Sequence, residues 1–225
     1  MKKYKLLFLC GVLSLSNSIF AYEAGDVLVR VGAATVNPNE SSSQVVLQSS
    51  STALGKISVD NSTQLGITGS YLFSPHMGIE LLAATPFKHT LRGSSGAVNG
   101  LKIATTQQLP PTINLQYYPA TQSSAFQPYV GVGVNYTAFF DSQTTNSLNS
   151  TLGVSHSSID LQNSWGFAGE IGIDYAINEK WFLNAATWYI DIDTTGKIKL
   201  SNGDQLNVNA AIDPWVSMVG VGYRF

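Results

Sequence analysis

The C-terminal strand constrains this chain more than any other stretch of it. From Trp215 to Phe225 the side chains alternate: Trp215, Ser217, Val219, Val221, Tyr223 and Phe225 share one face, and Val216, Met218, Gly220, Gly222 and Arg224 share the other. A period of two marks a strand rather than a helix. Large apolar groups on one face and small or polar groups on the other suit a wall with lipid outside and a narrow lumen inside.

Seven other segments repeat the pattern. Segment 27–36 places Val27, Val29, Val31 and Ala33 on one face and Leu28, Arg30, Gly32 and Ala34 on the other. Segment 64–73 sends Leu65, Ile67, Tyr71 and Phe73 outward. Segment 78–87 sends Ile79, Leu81 and Ala83 outward and Glu80, Leu82 and Ala84 inward. Segment 112–118 puts Asn114 and Gln116 inward, and segment 129–140 does the same with Gly131, Gly133 and Asn135. Segment 164–175 sends Ala168, Glu170, Gly172 and Asp174 inward, and segment 181–193 sends Asn184, Ala186 and Trp188 inward.

No run of eighteen apolar residues follows residue 21. A membrane chain without one satisfies its backbone by closing a sheet into a barrel. A soluble β-sandwich would bury its apolar faces against each other and cover the outside with charge. Only 12% of the residues are charged, about half the roughly 25% of a soluble domain. The connections 74–77, 119–126 and 176–180 are short, whereas 37–63, 88–109, 141–163 and 194–212 are long and polar. The expected fold is therefore all-β: an eight-stranded antiparallel transmembrane β-barrel over residues 22–225, with short periplasmic turns and long extracellular loops. Asn202-Gly203 marks a hairpin tip that carries the last two strands above the membrane as a ribbon. The Ser-rich stretch 41–52 reads as a mobile loop tip.

Residues 1–21 read as a signal peptide cleaved after Ala21. Lys2, Lys3 and Lys5 precede an apolar core at 6–15 that is too short to span a bilayer. Cys10, the one cysteine, lies in that core; a lipoprotein site would need a small residue where Leu9 stands. The mature chain then has no disulfide or thiol chemistry. A net charge of −2 without a basic stripe argues against nucleic acid as a partner.

The segments AGDVLVRVGAATVNP, GIELLAATPFKH, LPPTINLQYYP, PYVGVGVNYTAFFD, WYIDIDTT and DPWVSMVGVGYRF resemble those of the outer membrane protein W (OmpW) family, in order along the whole mature chain. The resemblance implies localisation in the bacterial outer membrane and a narrow apolar lumen. It implies passive passage of small hydrophobic molecules, with outer-membrane lipid around the wall. The alternative it leaves open is a structural or receptor role (phage, colicin or host contact) through the extracellular loops. Family members can carry histidine before the LPP block; Gln107 and Gln108 stand there in this chain.

Candidate sites follow from the inward faces. Arg30, Glu80, Glu170, Asp174 and Arg224 form either an ion-selective lining or a paired network filling the lumen; an eight-stranded barrel has room for little beyond side chains. Leu82, Trp188 and Met218 are expected to form an apolar constriction near mid-height, or simply core. Pro86 ends the third strand, and Pro110 and Pro111 open the fourth. Proline cannot donate to a strand ladder, so these residues mark either a lateral port or the end of pairing. A simple hairpin about residue 98 would set Pro86 opposite Pro110, Leu82 opposite Asn114 and Glu80 opposite Gln116. Val221, Tyr223 and Phe225 resemble the terminal signal read by the outer-membrane assembly machinery. His76 is expected in a periplasmic turn, and His89 and His156 as solvated loop residues beside Ser94, Ser95, Ser155 and Ser157. Neither a catalytic set nor metal-ligand spacing nor a cofactor fingerprint is present, so no enzyme activity, metal or cofactor is expected.

Overall fold

A computed structural model of the protein describes residues 22–120 and 124–225; the expected signal peptide lies outside the described residues. Eight strands close the barrel: β1 (Val27–Asn37), β2 (Ser62–Ser74), β3 (Met77–Ala84), β4 (Thr112–Tyr117), β5 (Phe126–Thr144), β6 (Ser164–Ala176), β7 (Trp181–Ile190) and β8 (Trp215–Arg224). Each pairs antiparallel with its sequence neighbour, and β1 pairs with β8 from Leu28↔Arg224 to Asn37↔Trp215, so this wall has no free edge. No helix among the described residues is long and apolar enough to cross a membrane.

The alternation read from the sequence is the alternation of the wall. Outward residues such as Val132, Phe167 and Val219 are among the most exposed apolar side chains, at 67%, 77% and 67%. In water such a surface would be a severe liability; in lipid it is the solvated face. Aromatic pairs form a girdle at each end of it. Trp181–Tyr223 (4.9 Å) and Phe126–Tyr175 (4.8 Å) lie at the periplasmic end, and Tyr136–Trp165 (4.7 Å) and Tyr189–Trp215 (5.3 Å) at the outer end.

The long connections are not loose. Ser41–Ser42, Val45–Leu47, Gln205–Ala211, Asp193–Leu200 and Ser157–Leu161 pair into a sheet above the membrane, and Ile57–Val59, Phe87–Gly93 and Lys102–Leu109 pair into the extended end of the barrel. Val45, Leu91, Ile103, Leu148, Ile198 and Leu206 belong to a buried apolar cluster of their own. The hairpin about Asn202-Gly203 forms as expected, with Lys199↔Gln205 and Gly203 at φ 90°. The Ser-rich stretch corrects the sequence expectation: Ser42 pairs with Ala210 and Leu47 with Leu206, so this segment is tied into the sheet. Val45 and Leu47 anchor it, and composition alone hid them among serines.

Candidate functional site

The barrel interior is built in layers. At the periplasmic end Leu28, Leu72 and Phe182, from the ends of β1, β2 and β7, are fully buried together with Tyr22. Above them sits Arg30, itself fully buried. Its guanidinium grips Asp174 with two donors, Nε to Oδ1 at 3.1 Å and Nη2 to Oδ2 at 2.6 Å. It also pairs with Glu80 at 3.3 Å and donates to Ser70 Oγ (2.8 Å) and Tyr118 Oη (3.1 Å). The Tyr129 ring covers it, 4.9 Å away. Gln116 donates to Glu80 (2.9 Å) and to Glu170 (3.1 Å), joining the second glutamate to the set. Tyr22 donates to Asp174 at 2.7 Å. Planar, multidentate recognition of this kind is what makes a buried arginine tolerable.

An apolar layer follows. Leu82, Trp188 and Met218 are buried in one cluster with Ala34, Val36 and Val216. Gly66 makes room for it, because a Cβ there would sit 2.8 Å from the Met218 sulfur. The indole N–H of Trp188 has no hydrogen-bond partner among the described residues. Higher still, a cavity of about 40 Å³ opens within the extracellular part, lined by Ile57, Leu91, Ile103, Phe139, Ile198 and Ile212, with Glu40, His89 and Gln108 among the polar groups.

At the level of the apolar layer the wall is broken. The β3–β4 ladder runs from Tyr117↔Met77 to Thr112↔Leu82 and stops. Pairing between the two chains resumes only at Phe87↔Gln108. Between those points residues 83–86 and 109–111 make no ladder to each other. Each side leans on its other neighbour instead: Thr85 N donates to Leu65 O (2.9 Å), and Tyr136 N donates to Pro111 O (3.1 Å). Pro86 and Pro110 lack the N–H that could bridge the gap.

The model of the OmpW family matches residues 23–225. The chain belongs to the OmpW family. Outer membrane protein W of Escherichia coli is 44% identical over 225 residues, covering 100% of both chains. Outer membrane protein W of Vibrio cholerae is 41% identical over 222 residues, covering 96% of this chain and 98% of the relative. The crystal structure of the outer membrane protein OprG from Pseudomonas aeruginosa superposes with a TM-score of 0.84 at 46% identity, covering 92% of this chain and 99% of that one. This OmpW-family chain is thus an outer-membrane β-barrel, as its relatives are.

Within the OmpW-family barrel most expected site residues come together, and three expectations need correction. Arg30, Glu80, Glu170 and Asp174 form one network, but Arg224 stands apart on Asp26 (2.9 Å) near the periplasmic rim. Phe182 packs over Gly222, between Arg224 and the level of Arg30, so parity put Arg224 inward but depth kept it out. The β3–β4 register is two residues from the expected one: Leu82 faces Thr112 and Glu80 faces Asn114. A slip of two keeps every side chain on its face, so the inward pattern could not detect it. Pro86 accordingly does not face Pro110; the prolines flank the break at different heights.

The third correction is His89. Expected in solvent, it is 4% exposed. Even-numbered residues point inward in β3, but Phe87, His89 and Leu91 do so above it, because the frame shifts by one at Thr85-Pro86. His76 lies in the turn after β2 as expected, its Nδ1 2.8 Å from the Tyr118 carbonyl. His156 is exposed, with Ser155 Oγ 3.2 Å from its Nδ1 and, among the described residues, no carboxylate orienting the ring. Gln108 and Tyr22 were missed as site residues, and the inward parity of 104, 106 and 108 could have found the first.

Proposed function

We propose that this barrel gives small hydrophobic molecules passive passage across the outer leaflet, entering through the extracellular cavity and leaving sideways into lipid between β3 and β4. The observation that carries this is the break at Pro86, Pro110 and Pro111, set beside an apolar layer and above a filled lumen. The way straight down meets Arg30 and its carboxylates, where an apolar solute gains nothing and would displace paired charge. The sideways way keeps apolar surface out of water throughout. Leu82, Trp188 and Met218 form the floor that turns the solute aside. An unpartnered buried N–H costs about 1–3 kcal/mol, which lowers the cost of swinging the Trp188 ring to another rotamer.

Closing the break tests the proposal. Continuing the observed register past Leu82↔Thr112 sets Ala83 opposite Pro111. Ala83→Cys with Pro111→Cys, bridged by a direct disulfide or through a short bis-methanethiosulfonate that forms two disulfides, should stop uptake of naphthalene into proteoliposomes, and reduction should restore it. Uptake at the wild-type rate in a bridged, folded barrel would remove the lateral route.

A further inference from the structure

The extracellular cavity is lined mostly by apolar side chains, with Glu40, Ser42, His89, Thr106, Gln108 and Thr194 as its polar residues. His89 and Gln108 are buried, 4% and 2% exposed, and their contact fixes which atoms face the cavity. His89 Nδ1 lies 2.8 Å from the Asp60 carbonyl oxygen, which can only accept, so Nδ1 carries the proton. Burial pulls the His89 pKa down, against weaker opposing effects of Asp60, so the ring is neutral at pH 7 and Nε2 is an acceptor. The Gln108 amide nitrogen, 3.1 Å from Nε2, must therefore be the donor between them. The amide is thereby oriented. Its carbonyl oxygen and its second N–H are not used by that bond, and Gln108 lines the cavity.

The other polar groups of the cavity are committed or carry the wrong charge for an anion. Thr106 Oγ1 lies 2.8 Å from Ser142 Oγ, Ser42 Oγ accepts from Ile57 N at 3.0 Å, and Thr194 Oγ1 donates to Gln162 O at 2.7 Å. Among the described residues no Lys or Arg lines the cavity, and Glu40 does. A carboxylate or phosphate head would meet an acid with no cation to offset it, while a hydrocarbon would leave the Gln108 carbonyl desolvated without a partner.

We propose that the cavity, which widens from its resting volume of about 40 Å³ to admit a solute, selects amphiphiles with an apolar body and one neutral hydrogen-bonding head, a hydroxyl or a carbonyl, which Gln108 receives. His89 is the positioning residue that orients the amide. The inference deepens the passage reading above and rests on it for the direction of travel, not for the binding itself.

The matched probes are 1-naphthol and naphthalene, which differ by one hydroxyl. Equilibrium dialysis against the folded protein in detergent, with protein-free micelles subtracted, reads binding; proteoliposome uptake reads passage. The wild type should bind 1-naphthol roughly three- to tenfold better than naphthalene, the range of one neutral hydrogen bond. Gln108→Met should abolish that preference while leaving naphthalene binding unchanged. His89→Phe, which releases the amide, should shrink the preference for 1-naphthol without abolishing it; an undiminished preference would remove the positioning role from His89. Equal binding of the two probes by the wild type, or a preference that survives Gln108→Met, would overturn the proposal. Binding preference without uptake of either probe would leave the head-group site standing and overturn the passage reading instead.

Discussion

Replacing Arg30 by methionine tests whether the lumen charges are a compensated filling or the lining of an ion path. The change keeps much of the apolar stem and removes the guanidinium. It deletes the two-point contact with Asp174, the pair with Glu80 and the bonds to Ser70 and Tyr118. Asp174 keeps Tyr22 and Asn184 as donors, and Glu80 keeps Gln116, but both carboxylates lose their cation in a water-poor interior. Removing one partner of a buried ion pair costs about 3–5 kcal/mol. With a urea slope of about 3 kcal/mol per M, that moves the unfolding midpoint down by roughly 1–2 M. Removing all the charges together is a different perturbation. Arg30→Met with Glu80→Gln, Glu170→Gln and Asp174→Asn leaves no charge in the network, and such replacements are often close to neutral. Urea titrations in lipid vesicles, read by tryptophan fluorescence and unheated-gel mobility, should show the single variant weakened and the quadruple variant largely recovered. A single variant that unfolds at the wild-type midpoint, or a quadruple variant as weak as the single, refutes the reasoning.

The Leu82→Ala/Trp188→Ala double variant should raise single-channel conductance in planar bilayers, since both side chains are almost wholly buried in the apolar layer. Unchanged conductance in a barrel that still shifts on unheated gels would make these residues plain core. Phe225→Ala should lower the amount of folded protein in the outer membrane, because Phe225 completes an aromatic run with Tyr223 (4.7 Å) and Trp181. Normal surface levels of the variant would leave that terminus an ordinary strand.

The eight strands and their faces were legible because lipid and lumen impose opposite demands on alternate residues. Trp188, Met218, Leu82, Arg30 and Asp174 were therefore placed inward from local sequence alone. The extracellular part was harder to read. Its strands carry serine, threonine and asparagine on their solvent faces, and their buried residues, such as Val45 and Leu206, belong to segments far apart in sequence.

By itself the sequence determined what each barrel residue faces, since side-chain direction repeats every two residues and one strand suffices to show it. The prolines also announced that pairing between the third and fourth strands must fail somewhere near them. Only the tertiary structure decided where along the barrel each residue sits and whom it meets. The β3–β4 register, the separation of Arg224 from Arg30, and the one-residue frame shift that turns His89 toward Gln108 depend on how strands slide past one another. A slide of two residues leaves local periodicity unchanged, and a shift at a proline hides in a segment that looks like loop. The wall is thus written strand by strand, whereas the cavity, the charge network and the break exist only once the strands have settled against each other.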